Sequence, residues 1–401
     1  MGGSMTVVLA VGGIASAHSV ALSRGVQLVH VRTHRHHTML PPSHYFKVID
    51  ASHLANRELS QLKYVLKQVE GIAFDAILCL HDDSVVLGAR LAEKIGIAFA
   101  SVSTAKATVD KVLMRHILSN TNLGSVRYGV VVGGDVSWIT DPPEGSVVLK
   151  PSTGRASVGV QVLPDIDSVQ RVIGKDPFEF EGYLVEERKI GAEYSVESLL
   201  SSVGEWHGVT AKTTAGVIET GHVHPAPITE GEAWTIRSAA ASALEYLGIK
   251  RGLLHTEVIL DRQGVPHIVE THLRGGGDGI LDLVKYATGL DLTDLYVDDL
   301  LNRLHDLPNA QIGRAASCQY SLPHSSGVLT GWSGIDEAKQ CKGVVDIGTI
   351  LSIGDWVQVE QQSSYTRLAW AIATANDGRL AQYRARKAVN TIVPHATKEK
   401  E

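Results

Sequence analysis

Glu257 and Glu270 stand near the ends of a segment whose spacing suits a metal ion. It runs Arg251-Gly-Leu-Leu-His-Thr-Glu257-Val-Ile-Leu-Asp-Arg-Gln-Gly-Val-Pro-His-Ile-Val-Glu270-Thr-His-Leu-Arg274. Two apolar runs flank Asp261-Arg-Gln-Gly264, a polar turn ending in glycine, so the segment reads as a β-hairpin. Pairing Leu260 with Val265 sets Glu257 opposite Ile268 and Glu270 opposite His255. Both carboxylates then share one face as diagonal neighbours, with His255 beside them. A one-residue slip would part them. Paired carboxylates are hard oxygen ligands that suit Mg²⁺, which adds waters and substrate phosphates. Arg274 follows on the same side and can pair with an anion. It opens Gly275-Gly-Gly-Asp-Gly279, where backbone can approach a ligand closely. The plainer alternative, a solvated hairpin, fits poorly with such apolar flanks.

Two further stretches could handle a nucleotide. Lys150 ends an apolar strand and enters Pro151-Ser-Thr-Gly-Arg-Ala-Ser-Val-Gly159. Amides and hydroxyls of such a loop can cradle phosphates beside a lysine point charge. The lysine precedes the loop, so this is not a Walker A motif. Alone, it reads equally as a hairpin connection. Next come Tyr183-Leu-Val-Glu-Glu-Arg-Lys189 and Gly191-Ala-Glu193-Tyr-Ser-Val-Glu197. A strand-end backbone there could meet an adenine, and a later carboxylate could hold ribose hydroxyls. A charged surface hairpin is the alternative.

The elements that must carry these groups alternate at first. Strands at 6–11, 27–31, 45–49 and 74–80 interleave with helices at 56–69 and 84–94, which predicts a parallel sheet covered by helices. A helix from near Ala105 carries Asp110-Lys111-Val-Leu-Met-Arg115. Short strands among glycines follow, helices return at 234–247 and 280–287, and a glycine-punctuated, strand-rich region from about Pro308 closes with a helix at 379–393. Gly12-Gly13 lacks the G-x-G-x-x-G pattern, which disfavours a dinucleotide-binding loop.

Composition narrows the class. The 401 residues are 44% hydrophobic and 20% charged, ordinary globular values with room for two or three domains. A net charge of −6 without a basic patch argues against nucleic-acid binding. His34-Arg-His-His37 reads as an exposed loop. The three cysteines, Cys79, Cys318 and Cys341, match neither a zinc pattern nor a disulfide framework, so a reducing cytoplasmic setting is expected. No apolar run reaches membrane-spanning length. Met1-Gly-Gly-Ser4 reads as an added leader before a natural start at Met5, and Lys398-Glu-Lys-Glu401 as a frayed tail.

In this order, these pieces resemble the ATP-grasp superfamily, most closely its carboxylate–amine ligases of the L-amino-acid ligase type, over most of the chain. The resemblance implies an α/β fold (α+β overall) in three domains. These are an N-terminal parallel α/β domain at 1–107, an ATP-grasp domain at 108–306 with a mobile lid at about 125–200, and a small strand-rich domain at 307–401. It further implies that Lys111 and Lys150 bind phosphates and that Ser152–Gly159, including Ser157, is a flap. Glu186 would accept the adenine amino group, the backbone of Glu187 to Lys189 would complete the hinge, and Glu193 would hold ribose. Glu257 and Glu270 would ligate Mg²⁺, in two ions, and Arg274 would hold the reacting carboxylate or acyl phosphate. Glu219–Pro225 resembles a loop at the amino-acid pocket, lined by His222 or His224, with Gly276 nearby. His255 is a candidate base or a structural neighbour of the metal.

One departure concerns Glu-x-Asn-x-Arg, which here reads Glu270-Thr-His272-Leu-Arg274. Imidazole suits softer metals than Mg²⁺, so either His272 contacts phosphate or substrate, or the second ion is held by Glu270 and water, and His272 has no fixed role. Arg155 and Ala156 are also unusual in a flap. The implied activity is ATP-dependent condensation of a carboxylate with an amine, both small molecules and expected to be amino acids, by a possible homodimer. Rivals are an ATP-grasp enzyme acting on another carboxylate, a nucleotide-binding protein without ligase activity, and a dinucleotide-dependent oxidoreductase.

Overall fold

The computed structural model describes residues 5–311, 313–359 and 363–397. The leader at 1–4 and the tail at 398–401 lie outside the described residues. The architecture is mixed α/β: a parallel N-terminal domain, a central body of two antiparallel sheets and a small antiparallel C-terminal part. Buried apolar strands β1 (Val7–Val11), β2 (Gln27–Arg32), β3 (Lys47–Asp50) and β4 (Ala76–Leu78) form a parallel sheet in the order β3-β2-β1-β4. Strands β5 (Tyr128–Val132), β6 (Asp135–Trp138), β7 (Val147–Lys150), β8 (Gln161–Leu163) and β9 (Leu184–Glu187) form a separate antiparallel lid sheet with its own apolar core around Val131, Leu149 and Ile173.

The central sheet begins with β10 (Gly191–Ser201), β11 (Gly204–Ala215), β12 (Ile218–His224), β13 (Gly252–Asp261), β14 (Pro266–His272) and β15 (Ala315–Ser321). Strands β16 (Gly327–Ser333), β17 (Val344–Thr349), β18 (Trp356–Val357), β19 (Ala369–Ala375) and β20 (Val393–Thr397) follow. Of these, β17 and β19 extend the central sheet through β15, while β16, β18 and β20 pair apart from it. The strand at 191–201, counted above with the lid, therefore belongs to the central sheet, and that sheet continues across position 307. Val258 and Ile268 on the back of the hairpin join a core that runs from Leu9 and Ile77 to the helix Glu230–Tyr246. By alternation, that leaves Glu257 for the opposite face.

Four expectations need correction. Leu260 pairs with Pro266, not Val265. The cause is Asp261, whose Oδ1 accepts the amides of Gln263 and Val265 at 2.9 and 2.8 Å while its own amide reaches Val265 O at 3.0 Å. A bulge beside Val269 then adds one more residue, so Glu257 directly faces Glu270 and His255 faces His272. The helix placed near Ala105 is two helices, Val102–Ala107 and Lys111–Ser119, because Asp110 caps the second through the amides of Val112 and Leu113. Residues 219–224 belong to β12 and not to a loop, since they are hydrogen-bonded between β11 and β15. His37 is buried, at 4% exposure, although His36 is open to solvent.

Candidate active site

A cleft lies between the lid sheet and the central sheet. Lys111, Lys150, the loop 153–160, Glu186 to Lys189, Glu193 and Glu270 line it. Lys111 is the first residue of its helix, where backbone amides present partial positive charge. Its amide donates to Ser152 O at 2.8 Å, its Nζ to Gly154 O at 3.0 Å, and the same Nζ pairs with Glu270 Oε2 at 2.8 Å. One residue thus ties the flap to the carboxylate pair. Ala156 and Ser157 both adopt positive φ, near 55° and 56°. Arg155 explains its own presence: its Nη2 lies 3.0 Å from Asp83 Oδ2, across the cleft on the N-terminal domain.

Glu186 is buried between Arg115 and Lys150, at 2.5 and 2.6 Å. Burial alone would raise its pKa, but the two cations outweigh burial and hold it below the ordinary value. Its side chain is therefore already committed to these partners. Arg115, one turn beyond Lys111, was missed as a site residue; the i, i+4 spacing was the available signal. Glu187 turns to Arg127 and Lys189, and the amides of Glu187 and Arg188 reach the carbonyls of Arg127 and Ser146. Glu193 lines the cleft from β10, and burial pushes its pKa up.

At the carboxylate pair, each glutamate has its own lysine. Lys212, on β11, lies 2.5 Å from Glu257 and 2.9 Å from Glu219. Burial opposes ionisation of both Glu257 and Glu270, yet Lys212 beside the first and Lys111 beside the second hold both well below the ordinary carboxylate range. His255 is clamped between Glu197 at 2.5 Å and Glu257 at 3.3 Å. Burial would lower its pKa, but the Glu197 charge raises it to about 9. The ring thus bridges the buried Glu197 to Glu257. His272 spends Nε2 on Glu270 and Nδ1 on Asp82, both at 3.2 Å. Asp82 also holds Arg274 Nε at 2.7 Å. Neither Asp82, Glu197 nor Lys212 was singled out from sequence. Asp82 opens a helix directly after a strand, whereas Lys212 carries no local signal.

A second pocket is lined by Ile14, His36, His81, Asp82, Arg274, the run Gly275–Gly279 and Tyr365. Arg155 borders both pockets. Gly276 is required here because its amide donates to Glu197 Oε2 at 2.7 Å, and a Cβ would come within 2.9 Å of that carboxylate and of His255. His224 lies elsewhere: it is buried against Trp206 with Nδ1 3.0 Å from Thr210 Oγ1, and burial lowers its pKa to about 4. His222 instead faces Glu219 at 3.4 Å and Asp278 at 3.8 Å. Gly12 and Gly13 are packing glycines, since a Cβ would strike Ser84 or the Thr38 carbonyl.

Comparison with known proteins agrees with this layout. A family model for the ATP-grasp domain matches residues 144–282, and one for the L-amino acid ligase C-terminal domain 2 matches residues 319–396. The chain is 24% identical over 277 residues to an alanine–anticapsin ligase of Bacillus subtilis (strain 168), spanning 62% of this chain but only 58% of that relative. It is 21% identical over 345 residues to an L-arginine-specific L-amino acid ligase of Bacillus subtilis, covering 80% of this chain and 81% of the relative. The crystal structure of an L-amino acid ligase from Bacillus licheniformis has the same fold, with a TM-score of 0.81 at 18% identity, covering 99% of this chain and 100% of that one. The chain carries an ATP-grasp domain and an L-amino acid ligase C-terminal domain 2.

Proposed function

We propose that this protein is an ATP-dependent carboxylate–amine ligase that joins two amino acids through an acyl phosphate, releasing ADP and phosphate. The observation that carries this reading is the directly opposed Glu257–Glu270 pair, whose Glu270 lines the cleft together with Lys111 and Lys150. A free carboxylate resists amines because its carbonyl is resonance-stabilised and its leaving group poor. Phosphoryl transfer from ATP supplies a leaving group and needs mainly positioning and charge neutralisation.

The residues fit those needs. Lys111 and Lys150 would meet ATP phosphates beneath the flap, and Glu193 would face ribose. Two ionised carboxylates, each already countered by a lysine, suit Mg²⁺, and Glu257 with Glu270 would hold it. When bound, that ion neutralises phosphate charge during transfer. Arg274, fixed by Asp82, would present its guanidinium to the acid. His272 bridges Glu270 and Asp82 and so couples the metal-holding carboxylate to the residue that orients Arg274. The closed flap, latched by Arg155, would exclude water that hydrolyses the acyl phosphate. An uncharged amine would then attack the acyl phosphate, phosphate would leave, and a carboxylate near the pair would take the amine's proton. The reading includes a cytoplasmic setting and a homodimer; among the described residues no helix is long and apolar enough to cross a membrane.

The test is a pairwise amino-acid screen with ATP and Mg²⁺, read by phosphate release and product mass. Phosphate together with a condensed product supports the proposal. ATP binding without phosphate release for every pair would favour a nucleotide-binding protein.

A further inference from the structure

A cluster of imidazoles outside the carboxylate pair has no part in the reaction above. His36 and His37 come from the loop after β2, and His81 and Asp83 from the junction of β4 with the helix Asp82–Ile95. One ligand atom from each lies within 4.8 Å of all the others. Around Asp83 Oδ2, His36 Nε2 stands at 3.0 Å, His81 Nδ1 at 3.7 Å and His37 Nε2 at 3.8 Å. Tetrahedral ligands bound at about 2.0–2.1 Å would stand roughly 3.3 Å apart. The three distances to Asp83 Oδ2 lie within about half an ångström of that spacing, and the remaining pairs lie within 4.8 Å.

An independent feature points to a ligand. His37 is buried, and its Nε2 has no hydrogen-bond partner although it is aimed into the cluster. A buried nitrogen left unpaired costs free energy that a metal bond would recover. The other ring nitrogen, Nδ1, lies 3.1 Å from Thr33 Oγ1. Donation of Nδ1–H to that hydroxyl leaves the Nε2 lone pair free, the usual arrangement behind a metal-binding histidine. His81 Nδ1 accepts the Asp83 amide at 3.3 Å, a long contact that also leaves this nitrogen unprotonated.

We propose that His36, His37, His81 and Asp83 bind one divalent transition-metal ion of the zinc class at the rim of the second pocket. Three imidazoles and one carboxylate suit Zn²⁺ and its neighbours and not Mg²⁺. Arg155 Nη2 contacts two of the same atoms, Asp83 Oδ2 at 3.0 Å and His36 Nε2 at 3.4 Å. The metal and the flap arginine therefore compete, and loading the site releases the flap latch. By linkage, removing the guanidinium strengthens metal binding by the factor that it now withholds.

The full-length protein, stripped by a chelator and held in millimolar Mg²⁺, is titrated with Zn²⁺ by calorimetry and with Co²⁺ by visible absorption. One ion per chain with the intense cobalt bands of tetrahedral geometry is expected. His36→Ala, at a largely exposed side chain that the fold does not need, should weaken binding at least about tenfold. His37→Gln should do the same with an unchanged far-ultraviolet spectrum, Arg155→Ala should tighten binding severalfold, and His305→Ala should change nothing. Wild-type affinity in both His36→Ala and His37→Gln, or a weak octahedral cobalt spectrum, would overturn the site. Unaltered affinity in Arg155→Ala would overturn the competition.

Discussion

The proposed nucleotide cleft and the proposed acceptor pocket are built from opposite kinds of material. On the nucleotide side, Lys111 opens a helix and Lys150 ends a strand, and each is held by an ion pair, to Glu270 and Glu186. On the acceptor side, Arg274 comes after the end of β14, His81 and Asp82 from the N-terminal domain, and Tyr365 from near the C-terminus. The first arrangement fixes charge before any ligand arrives. The second depends on how distant segments meet. Arg155 borders both pockets, and Asp82 holds Arg274 in the second.

Breaking the nucleotide side should cost most. Glu186→Gln leaves Arg115 and Lys150 buried beside one neutral partner, and loss of a buried counter-charge costs about 3–5 kcal/mol. Chemical denaturation should show that loss, together with failure to bind ATP. Glu270→Gln should keep the fold and lower kcat by about 10²–10³, on the order of 3–4 kcal/mol of transition-state stabilisation. Near-normal turnover would mean that the metal-holding pair is misassigned.

The boundary between the regions responds less. Asp82→Asn weakens the charge-assisted hold on Arg274, worth about 1.5–3 kcal/mol. The KM for the carboxylate substrate should rise by at least about tenfold while the KM for ATP stays near wild type. Equal changes in both would erase the distinction drawn here. The clamp on His255 gives a pH signature. Its folded pKa of about 9 lies above its unfolded value, so the stability it contributes is complete below about pH 6.5 and is lost as pH rises through 9. The melting temperature should fall between pH 7 and 10 in the wild type and fall less steeply in His255→Gln. Smallest is Arg155→Ala. Its partly exposed pair with Asp83 is worth about 0–1 kcal/mol, so substrate KM values should rise no more than a few-fold.

What could be read from sequence follows the same division. The Lys150 loop, the Glu186 hinge and the two glutamates announce themselves because each lies on one short stretch with a strand or helix on either side. Even there, the hairpin register was misjudged, because neither the Asx-type closure by Asp261 nor the bulge at Val269 leaves a pattern in alternation. The break before Lys111 was marked by Asp110, a strong N-cap residue. Lys212 is different: it reads as one polar position in a threonine-rich strand, and only the pairing of β11 with β10, and of β10 with β13, brings it to Glu257. His272 was legible as a departure but not as a bridge, since Asp82 lies 190 residues away.

The central claim is that ATP activates a carboxylate by transfer of its terminal phosphoryl group. Turnover of an amino acid labelled with ¹⁸O in its carboxylate, followed by mass analysis of the released phosphate, tests it most directly. The account predicts one ¹⁸O atom in the inorganic phosphate for each product formed, with ADP as the other nucleotide product. Unlabelled phosphate, or AMP with labelled nucleotide and release of pyrophosphate, would contradict it.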